Sequence, residues 1–199
     1  MTHRVLALGD SYTIGEGVAE PERWPVQLAD ALGASGVPVQ APEIVARTGW
    51  TTDELDAAIT AAAPRGPYDL VTLLIGVNDQ YRSRPLGEFA AQFAALLARA
   101  IAFAGGAPGR VLVLSIPDWG VTPFADGRDR SLVAAAIDAF NEQARAATDR
   151  AGARWVDITA VSREPHAGWL APDDLHPSGA QYARWAAQAF QPARDILGY

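Results

Sequence analysis

The 199-residue chain contains no cysteine. Disulfide bonds, thiol nucleophiles and cysteine-ligated metals are therefore excluded, although this absence does not determine the redox compartment. The chain has only three histidines, His3, His166 and His176, and no HxxxH pair, so we do not expect a zinc site. The expected chemistry accordingly uses neither a metal nor a cofactor.

Positive charge and long apolar runs are also scarce. The 16 basic residues against 23 acidic ones give a net charge of −7 without a basic cluster, so nucleic acid is not an expected partner. No stretch approaches the ~18 consecutive apolar residues of a membrane-spanning helix. The first apolar run ends at Asp10, too early for the core of a secretory signal. We predict a cytoplasmic protein without integral membrane association, or a secreted one if a signal peptide has been removed; the sequence indicates no oligomeric state.

Apolar, β-rich runs alternate with Ala-rich segments of helical periodicity along the whole chain. With 49% hydrophobic residues and neither a linker nor a repeat, the sequence favours one α/β domain over residues 1–199. Six consecutive apolar or β-branched residues from Leu70 onward are typical of a strand covered on both faces, so this strand is expected at the centre. The predicted strands are residues 5–8, 43–46, 69–75, 111–116 and 154–156.

Five strands, each followed by a helix and joined by right-handed crossovers, predict a three-layer α/β/α sandwich around a parallel sheet. We predict the strand order 2-1-3-4-5, which places the switch point between the first and third strands. The last helix is expected to begin at Pro177, because proline is favoured at the first helical position. The other predicted helices are residues 24–32, a segment opened by the capping box at 51–54, 86–103 and 131–150; long loops are predicted at 117–129 and 158–175.

Aromatic side chains recur at helical spacing in the last predicted helix. They are Tyr182, Trp185 and Phe190, and aromatics spaced in this way are far more often core residues than a ligand site. We therefore assign them to the core.

A serine follows the first predicted strand within the stretch Leu8-Gly9-Asp10-Ser11. In an open parallel sheet, ligands bind beyond the carboxyl ends of the strands, so the Ser11 hydroxyl is placed where chemistry occurs. The competing interpretation is an ordinary βα turn, since Gly, Asp and Ser all favour turns.

A serine nucleophile needs a base, which is usually a histidine oriented by a carboxylate. Asp173-Asp174-Leu175-His176-Pro177 offers both where the last long loop enters the last helix. Polar capping residues would give the same pattern. His3 and His166 lack a clear polar relay, and we interpret both as solvated or capping residues.

Two loops at the same edge offer donors for the oxyanion of a tetrahedral intermediate. Gly49 has an unobstructed backbone N–H, and Asn78 has a side-chain amide, although a positive-φ turn and turn chemistry would explain them equally well. The glycines at 9, 15 and 17 fit neither common phosphate-binding pattern. Together, the candidates follow strands one, two, three and five, and thus meet at one edge of the sheet.

Four blocks of the sequence resemble the SGNH, or GDSL-type, hydrolases in family order. They are Gly9-Asp10-Ser11, Gly49 within Arg47-Thr48-Gly49, Gly76-Val77-Asn78-Asp79, and Asp173-Asp174-Leu175-His176-Pro177. The resemblance implies a flavodoxin-like fold and ester hydrolysis through an acyl-enzyme. It further implies Ser11 as nucleophile, an oxyanion hole from Ser11, Gly49 and Asn78, and a triad completed by Asp173 and His176. Tyr12 departs from the family, in which leucine often stands at this position.

The substrate is expected to be a small-molecule ester. No long apolar insertion is available as a lid, so we predict a shallow pocket for acetyl to roughly hexanoyl esters, because each buried methylene gains about 0.8 kcal/mol only until the slot is full. An acyltransferase, a lysophospholipase or a thioesterase with the same triad are the alternatives. The predicted pocket residues are Tyr12, Trp50, Val77, Tyr81, Trp119, Phe124 and Trp169.

Overall fold

The structure is a computed structural model that describes residues 2–164 and 167–199. Its centre is a five-stranded parallel sheet with the order β2-β1-β3-β4-β5, which confirms the predicted order. All five residues of β3 are buried, as expected for the central strand. The strands are β1 (Val5–Gly9), β2 (Glu43–Ala46), β3 (Leu70–Leu74), β4 (Val111–Leu114) and β5 (Arg154–Val156).

Helices cover both faces of the sheet. α2 packs against α8, whereas α3 packs against α5 and α5 against α6, and right-handed crossovers place these two groups on opposite faces. The described residues contain the helices α1 (Ser11–Ile14), α2 (Trp24–Ala34), α3 (Thr52–Ala62), α4 (Val77–Tyr81), α5 (Leu86–Phe103), α6 (Arg130–Ala151), α7 (Thr159–Ser162) and α8 (Gly179–Ile196). Single 3₁₀ turns lie at Glu20–Glu22, Pro108–Arg110, Trp119–Val121 and Pro123–Ala125.

The register of the sheet aligns the strand ends that matter for the site. Gly9 at the end of β1 is opposite Ala46 of β2 and Leu74 of β3. The loops that follow these three strands therefore begin at the same level. This alignment brings the residues after positions 9, 46 and 74 to one edge of the sheet.

Several predicted boundaries are wrong. The last helix begins at Gly179 instead of Pro177, because Ser178 caps it by accepting a hydrogen bond from the Gln181 N–H, while Pro177 bridges to Leu170. The helix predicted at 24–32 continues through Gly33, and the strand predicted at 111–116 ends at Leu114. The short helices α1, α4 and α7 were not predicted, since four or five residues are too few to show a periodicity.

The aromatic residues of α8 lie largely in the core. Tyr182 and Trp185 are fully buried, and Phe190 is half-buried against the core. α5 is the one described helix that is long and apolar enough, by length and composition, to cross a membrane. Its Phe89 and Phe93 side chains are buried in the core, as in the core helix of a globular protein.

Candidate active site

Ser11 is the first residue of α1, directly beyond the end of β1. This helix can start so close to the strand because position 9 is glycine: a Cβ there would collide with the Thr13 side chain and lie 2.5 Å from the Leu74 carbonyl oxygen. Asp10 caps the helix, with its Oδ1 accepting a hydrogen bond of 3.0 Å from the Tyr12 N–H. The tight turn fixes the position of Ser11 at the tip of the strand.

The Asp10 carboxyl is fully buried behind this turn. Burial is the main cause that raises the pKa of Asp10 to about 8, and the nearby Asp79 carboxylate adds to the shift. Burial also raises the pKa of Asp79, against hydrogen bonds donated by the Thr52 N–H and hydroxyl. Asp10 Oδ2 has no hydrogen-bond partner among the described residues. Two acidic groups therefore lie close together beneath the serine, in surroundings that favour the protonated form of Asp10.

A narrow hairpin carries the acid and the histidine. The Ala171 N–H donates to the His176 carbonyl at 2.8 Å, and the Ser178 N–H donates to the Trp169 carbonyl at 2.8 Å. These two bonds close the segment between Trp169 and Ser178. The turn of this hairpin thus presents Asp173 and His176 side by side.

Asp173 is the carboxylate that contacts the imidazole. Its Oδ2 lies 2.6 Å from His176 Nδ1, and its Oδ1 accepts from the His176 N–H at 2.9 Å. Burial opposes ionisation, but the bonds from the His176 side chain and from the His176 and Leu175 N–H groups outweigh it and hold the pKa of Asp173 below its usual value. Asp174 is exposed, has a φ of 57° and contributes its carbonyl oxygen to the Phe124 N–H.

Gly49 and Asn78 are held together by bonds between their loops. Asn78 donates one amide hydrogen to the Trp50 carbonyl at 2.9 Å, which leaves its second N–H uncommitted. Arg82 donates to the Gly49 carbonyl at 2.7 Å. The φ of Gly49 is 87°, so the glycine does serve a left-handed turn, and that turn lies beside Asn78.

Ser11, Gly49, Asn78 and His176 line one cavity of about 170 Å³. No hydrogen bond joins Ser11 Oγ to another side chain within residues 2–164 and 167–199, so the hydroxyl is free to turn towards His176. Such catalytic bonds are often long in a free enzyme and tighten when the substrate binds. The other lining residues are Tyr12, Thr48, Val77, Tyr81, Trp119, Phe124 and Leu175.

Five of the seven predicted pocket residues therefore line the cavity, and Trp50 and Trp169 do not. Trp50 packs against the core and contributes only its carbonyl. Trp169 is buried on the far side of the hairpin, where the Arg184 guanidinium covers its ring at 5.5 Å. Thr48 and Leu175 were missed, although each directly precedes a residue that had been assigned to the site.

The remaining histidines lie elsewhere. His3 Nδ1 is 3.6 Å from Asp69 Oδ2, and its ring meets the edge of Tyr199, which differs from the expected solvated or capping role. His166 lies outside the described residues. In the described part of the chain, no group of three or more His, Asp or Glu side chains is arranged to hold a metal ion.

Comparisons with known proteins identify the family and the fold of the chain. The model of the GDSL-like lipase/acylhydrolase family matches residues 7–184. The chain belongs to this family, and it is a carboxylic ester hydrolase. No curated protein sequence matches the chain.

Solved structures with the same fold cover almost the whole chain. TesA has a TM-score of 0.75 and 19% identity, covering 97% of this chain and 99% of its own. The psychrotrophic esterase EstA from Pseudoalteromonas sp. has a TM-score of 0.71 and 18% identity, covering 99% and 100%. A mutant of Axe2, an acetyl-xylooligosaccharide esterase from Geobacillus stearmophilus, has a TM-score of 0.69 and 18% identity, covering 99% and 94%. At these identities the likeness establishes the fold.

Proposed function

We propose that the protein hydrolyses short- to medium-chain carboxylic esters through an acyl-enzyme on Ser11. The observation that carries this proposal is the shared cavity, which Ser11, His176, Gly49 and Asn78 all line while Asp173 contacts the imidazole from behind. A nucleophile, a base, an orienting acid and two donors are what acyl transfer from an ester requires.

In the first half-reaction, Ser11 Oγ attacks the ester carbonyl carbon and passes its proton to His176 Nε2. Asp173 holds the ring in the tautomer that has its proton on Nδ1, and stabilises the imidazolium that forms. The oxyanion accepts hydrogen bonds from the Ser11 and Gly49 N–H groups and from the second amide N–H of Asn78. Collapse of the intermediate expels the alcohol, which takes the proton from His176.

In the second half-reaction, water attacks the acyl carbon while His176 takes its proton. The tetrahedral intermediate returns to the same oxyanion donors, and its collapse releases the carboxylic acid and restores the Ser11 hydroxyl. Transfer to an alcohol in place of water would follow the same steps, and the acceptor therefore separates a hydrolase from an acyltransferase.

The walls of the cavity support a limited acyl length. Its volume is about 170 Å³, and one of its walls is formed by the rings of Tyr81, Trp119 and Phe124, whose centroids lie 5.4 to 6.1 Å apart. Each methylene that fits gains about 0.8 kcal/mol, and a chain that outgrows the cavity gains nothing more. We expect kcat/KM to rise from acetyl to roughly hexanoyl esters and then level off.

The test is a series of p-nitrophenyl esters from acetyl to palmitoyl, combined with a fluorophosphonate probe. We expect a plateau near hexanoyl, insensitivity to EDTA, and labelling of the peptide that contains Ser11. Labelling at Ser115 or Ser178 would overturn the assignment of the nucleophile. A steady rise in kcat/KM through palmitate would instead indicate a lipase or lysophospholipase, and an ester product in the presence of alcohol would indicate an acyltransferase.

A further inference from the structure

The guanidinium of Arg128 lies against two rings of the aromatic wall of the cavity. Arg128 Cζ lies 5.1 Å from the centroid of the Tyr81 ring and 5.2 Å from that of Trp119. One of its NH₂ groups also approaches the Tyr81 hydroxyl at 3.4 Å. Both rings line the cavity that contains Ser11. These contacts hold the cation at a defined place next to the site.

The charge of Arg128 is unpaired in the part of the chain that the structure describes. No carboxylate within residues 2–164 and 167–199 forms an ion pair with it, although the chain has 23 acidic residues. Arg130, two positions further on, is bonded at 2.7 Å both to Asp126 and to the Gly120 carbonyl. Arg82, on the other side of the cavity, is paired with Glu54 at 3.3 Å. Of these three arginines, Arg128 is therefore the one without an ion pair in the described part of the chain.

An arginine without an ion pair has N–H groups available, and two of them form parallel bonds with a carboxylate or a phosphate. Because contacts with two aromatic rings restrict the position of the guanidinium, less conformational entropy is lost when an anion binds. The net charge of −7 repels anions at long range, so the protein as a whole does not supply the same attraction. A local cation is therefore what an anionic substrate would need here.

We propose that Arg128 is a specificity-determining residue, and that the preferred substrates are esters with a carboxylate or phosphate at the end remote from the scissile bond. The inference rests on the proposed function. The ester carbonyl lies at Ser11, the apolar part of the substrate packs against Tyr81, Trp119 and Phe124, and the anionic end reaches Arg128 beyond them. This arrangement deepens the proposed activity by naming a charge requirement in the substrate.

The experiment compares matched esters that differ only in the remote anion. On the acyl side, p-nitrophenyl pentanoate is compared with the mono-p-nitrophenyl ester of glutaric acid, which has the same chain length. On the alcohol side, phenyl acetate is compared with 4-acetoxybenzoate and with 4-acetoxyphenyl phosphate, which separates a carboxylate preference from a phosphate preference. The enzymes are the wild type, Arg128→Gln, Arg128→Lys and, as a matched control, Arg130→Gln.

Because the ratio of kcat/KM for an anionic ester to that for its neutral partner is compared between enzymes, intrinsic reactivity cancels. Arg128→Gln should lower this ratio about tenfold in at least one arm, mainly through KM, and leave the neutral ester unchanged. The ratio in Arg128→Lys should lie between those of Arg128→Gln and the wild type, and the ratio in Arg130→Gln should equal that of the wild type. Added salt should lower the wild-type ratio, because it screens the attraction between the charges.

An unchanged ratio in Arg128→Gln in all arms, with normal hydrolysis of the neutral esters, would overturn this inference and leave the proposed function intact. An equal loss in Arg130→Gln would also overturn it, because the effect would then come from net charge. If the wild type hydrolysed none of these esters, the proposed function would fail, and the inference with it.

Discussion

Two serines lie at the carboxyl edge of the same sheet, Ser11 beyond β1 and Ser115 beyond β4. Ser115 Oγ accepts from the N–H groups of Ile158 and Thr159 at 2.8 and 3.0 Å, and also bonds to the Asp157 carboxylate at 3.2 Å. Ser11 Oγ has none of these constraints and lies in a cavity beside His176. The same residue type thus holds a loop in place at one site and stays available for reaction at the other.

The cavities beside the two serines also differ, both in volume and in the polarity of their walls. The one lined by Ser115 has a volume of about 280 Å³ and charged walls that include Asp138, Glu142, Arg145 and Arg163, without a histidine. The one lined by Ser11 is smaller, about 170 Å³, and mostly apolar or aromatic. Size is therefore a poor guide to the reactive site in this protein. A free hydroxyl and a nearby base are the better criteria, because a hydroxyl already engaged by backbone donors is a weak nucleophile.

Replacing the two serines should give the largest contrast in activity. Ser11→Ala removes the oxygen that we propose forms the acyl-enzyme, and should lower kcat by at least about 10⁴-fold. Ser115→Ala should leave kcat per folded molecule unchanged. Steady-state hydrolysis of p-nitrophenyl acetate by both variants measures the contrast, and equal losses would mean that the comparison between the two serines is wrong.

The next largest effect should come from the orienting acid. Asp173→Asn allows the wrong imidazole tautomer, and should lower kcat by roughly 10³-fold or more. Asp174→Asn is the matched control, since it changes the neighbouring exposed carboxylate, and it should retain nearly full activity. The same hydrolysis assay applies, and a larger loss in Asp174→Asn would assign the orienting role to Asp174.

The two cavities also contain an asparagine each, which permits a smaller and more specific contrast. Asn78→Ala should lower kcat by roughly 10²–10³-fold with little change in KM, because its donor matters most when charge develops on the oxygen. Asn141, which bonds to the backbone of Ile116 on both its N–H and carbonyl, is the counterpart near Ser115. Asn141→Ala should lower the melting temperature and leave kcat unchanged; a purely structural Asn78 would behave in the same way.

The two serine variants should differ in stability in the opposite order to activity: Ser115→Ala should be the less stable variant. Ser115→Ala leaves the buried N–H of Ile158 without its acceptor, whereas the Thr159 N–H keeps Asp157 Oδ1 at 2.9 Å, and the loss should lower the free energy of unfolding by about 1–3 kcal/mol. Ser11→Ala removes no such acceptor and should unfold close to the wild type. Urea denaturation followed by circular dichroism measures both values. A Ser115→Ala variant as stable as the wild type would contradict the structural role of Ser115.

The last contrast concerns the pH dependence of stability beneath Ser11. Because burial raises the pKa of Asp10 from 3.8 to about 8, the folded state keeps a proton that the unfolded chain loses. The contribution of Asp10 to stability is complete below about pH 4 and is lost progressively as the pH rises to 8. Asn still caps a helix, so Asp10→Asn should remove this loss without removing the cap.

Melting temperatures of the wild type and Asp10→Asn between pH 4 and 9 test this sign. The melting temperature of the variant should rise relative to that of the wild type as the pH increases, and this difference should stop growing above about pH 8. Asp174→Asn, which changes an exposed carboxylate, should show no such trend. A difference that was constant above pH 5 would mean that Asp10 is already ionised in the folded protein.

The order of the strands and the place of the site could be predicted because they depend on patterns that the chain repeats. Buried strands appear in the sequence as apolar runs. Because the carboxyl ends of parallel strands lie at one edge of a sheet, the polar stretches that follow four of these strands are expected to lie together at that edge. The pocket was less predictable. Trp50 and Trp169 belong to the right loops but face away from the cavity, because the direction of a loop side chain depends on contacts with distant parts of the chain.

The sequence by itself determined the class of fold, the order of the sheet and the family, since local periodicity and short motifs carry that information. Only the tertiary structure decided which of two strand-end serines is free, which of two adjacent aspartates contacts His176, and that the Asp10 carboxyl is buried. It also placed Arg128 against the cavity wall, without an ion pair in the described part of the chain. Each of these depends on burial and on partners from remote segments, and the free energies of hydroxyls and charges are set by such surroundings rather than by neighbours in the sequence.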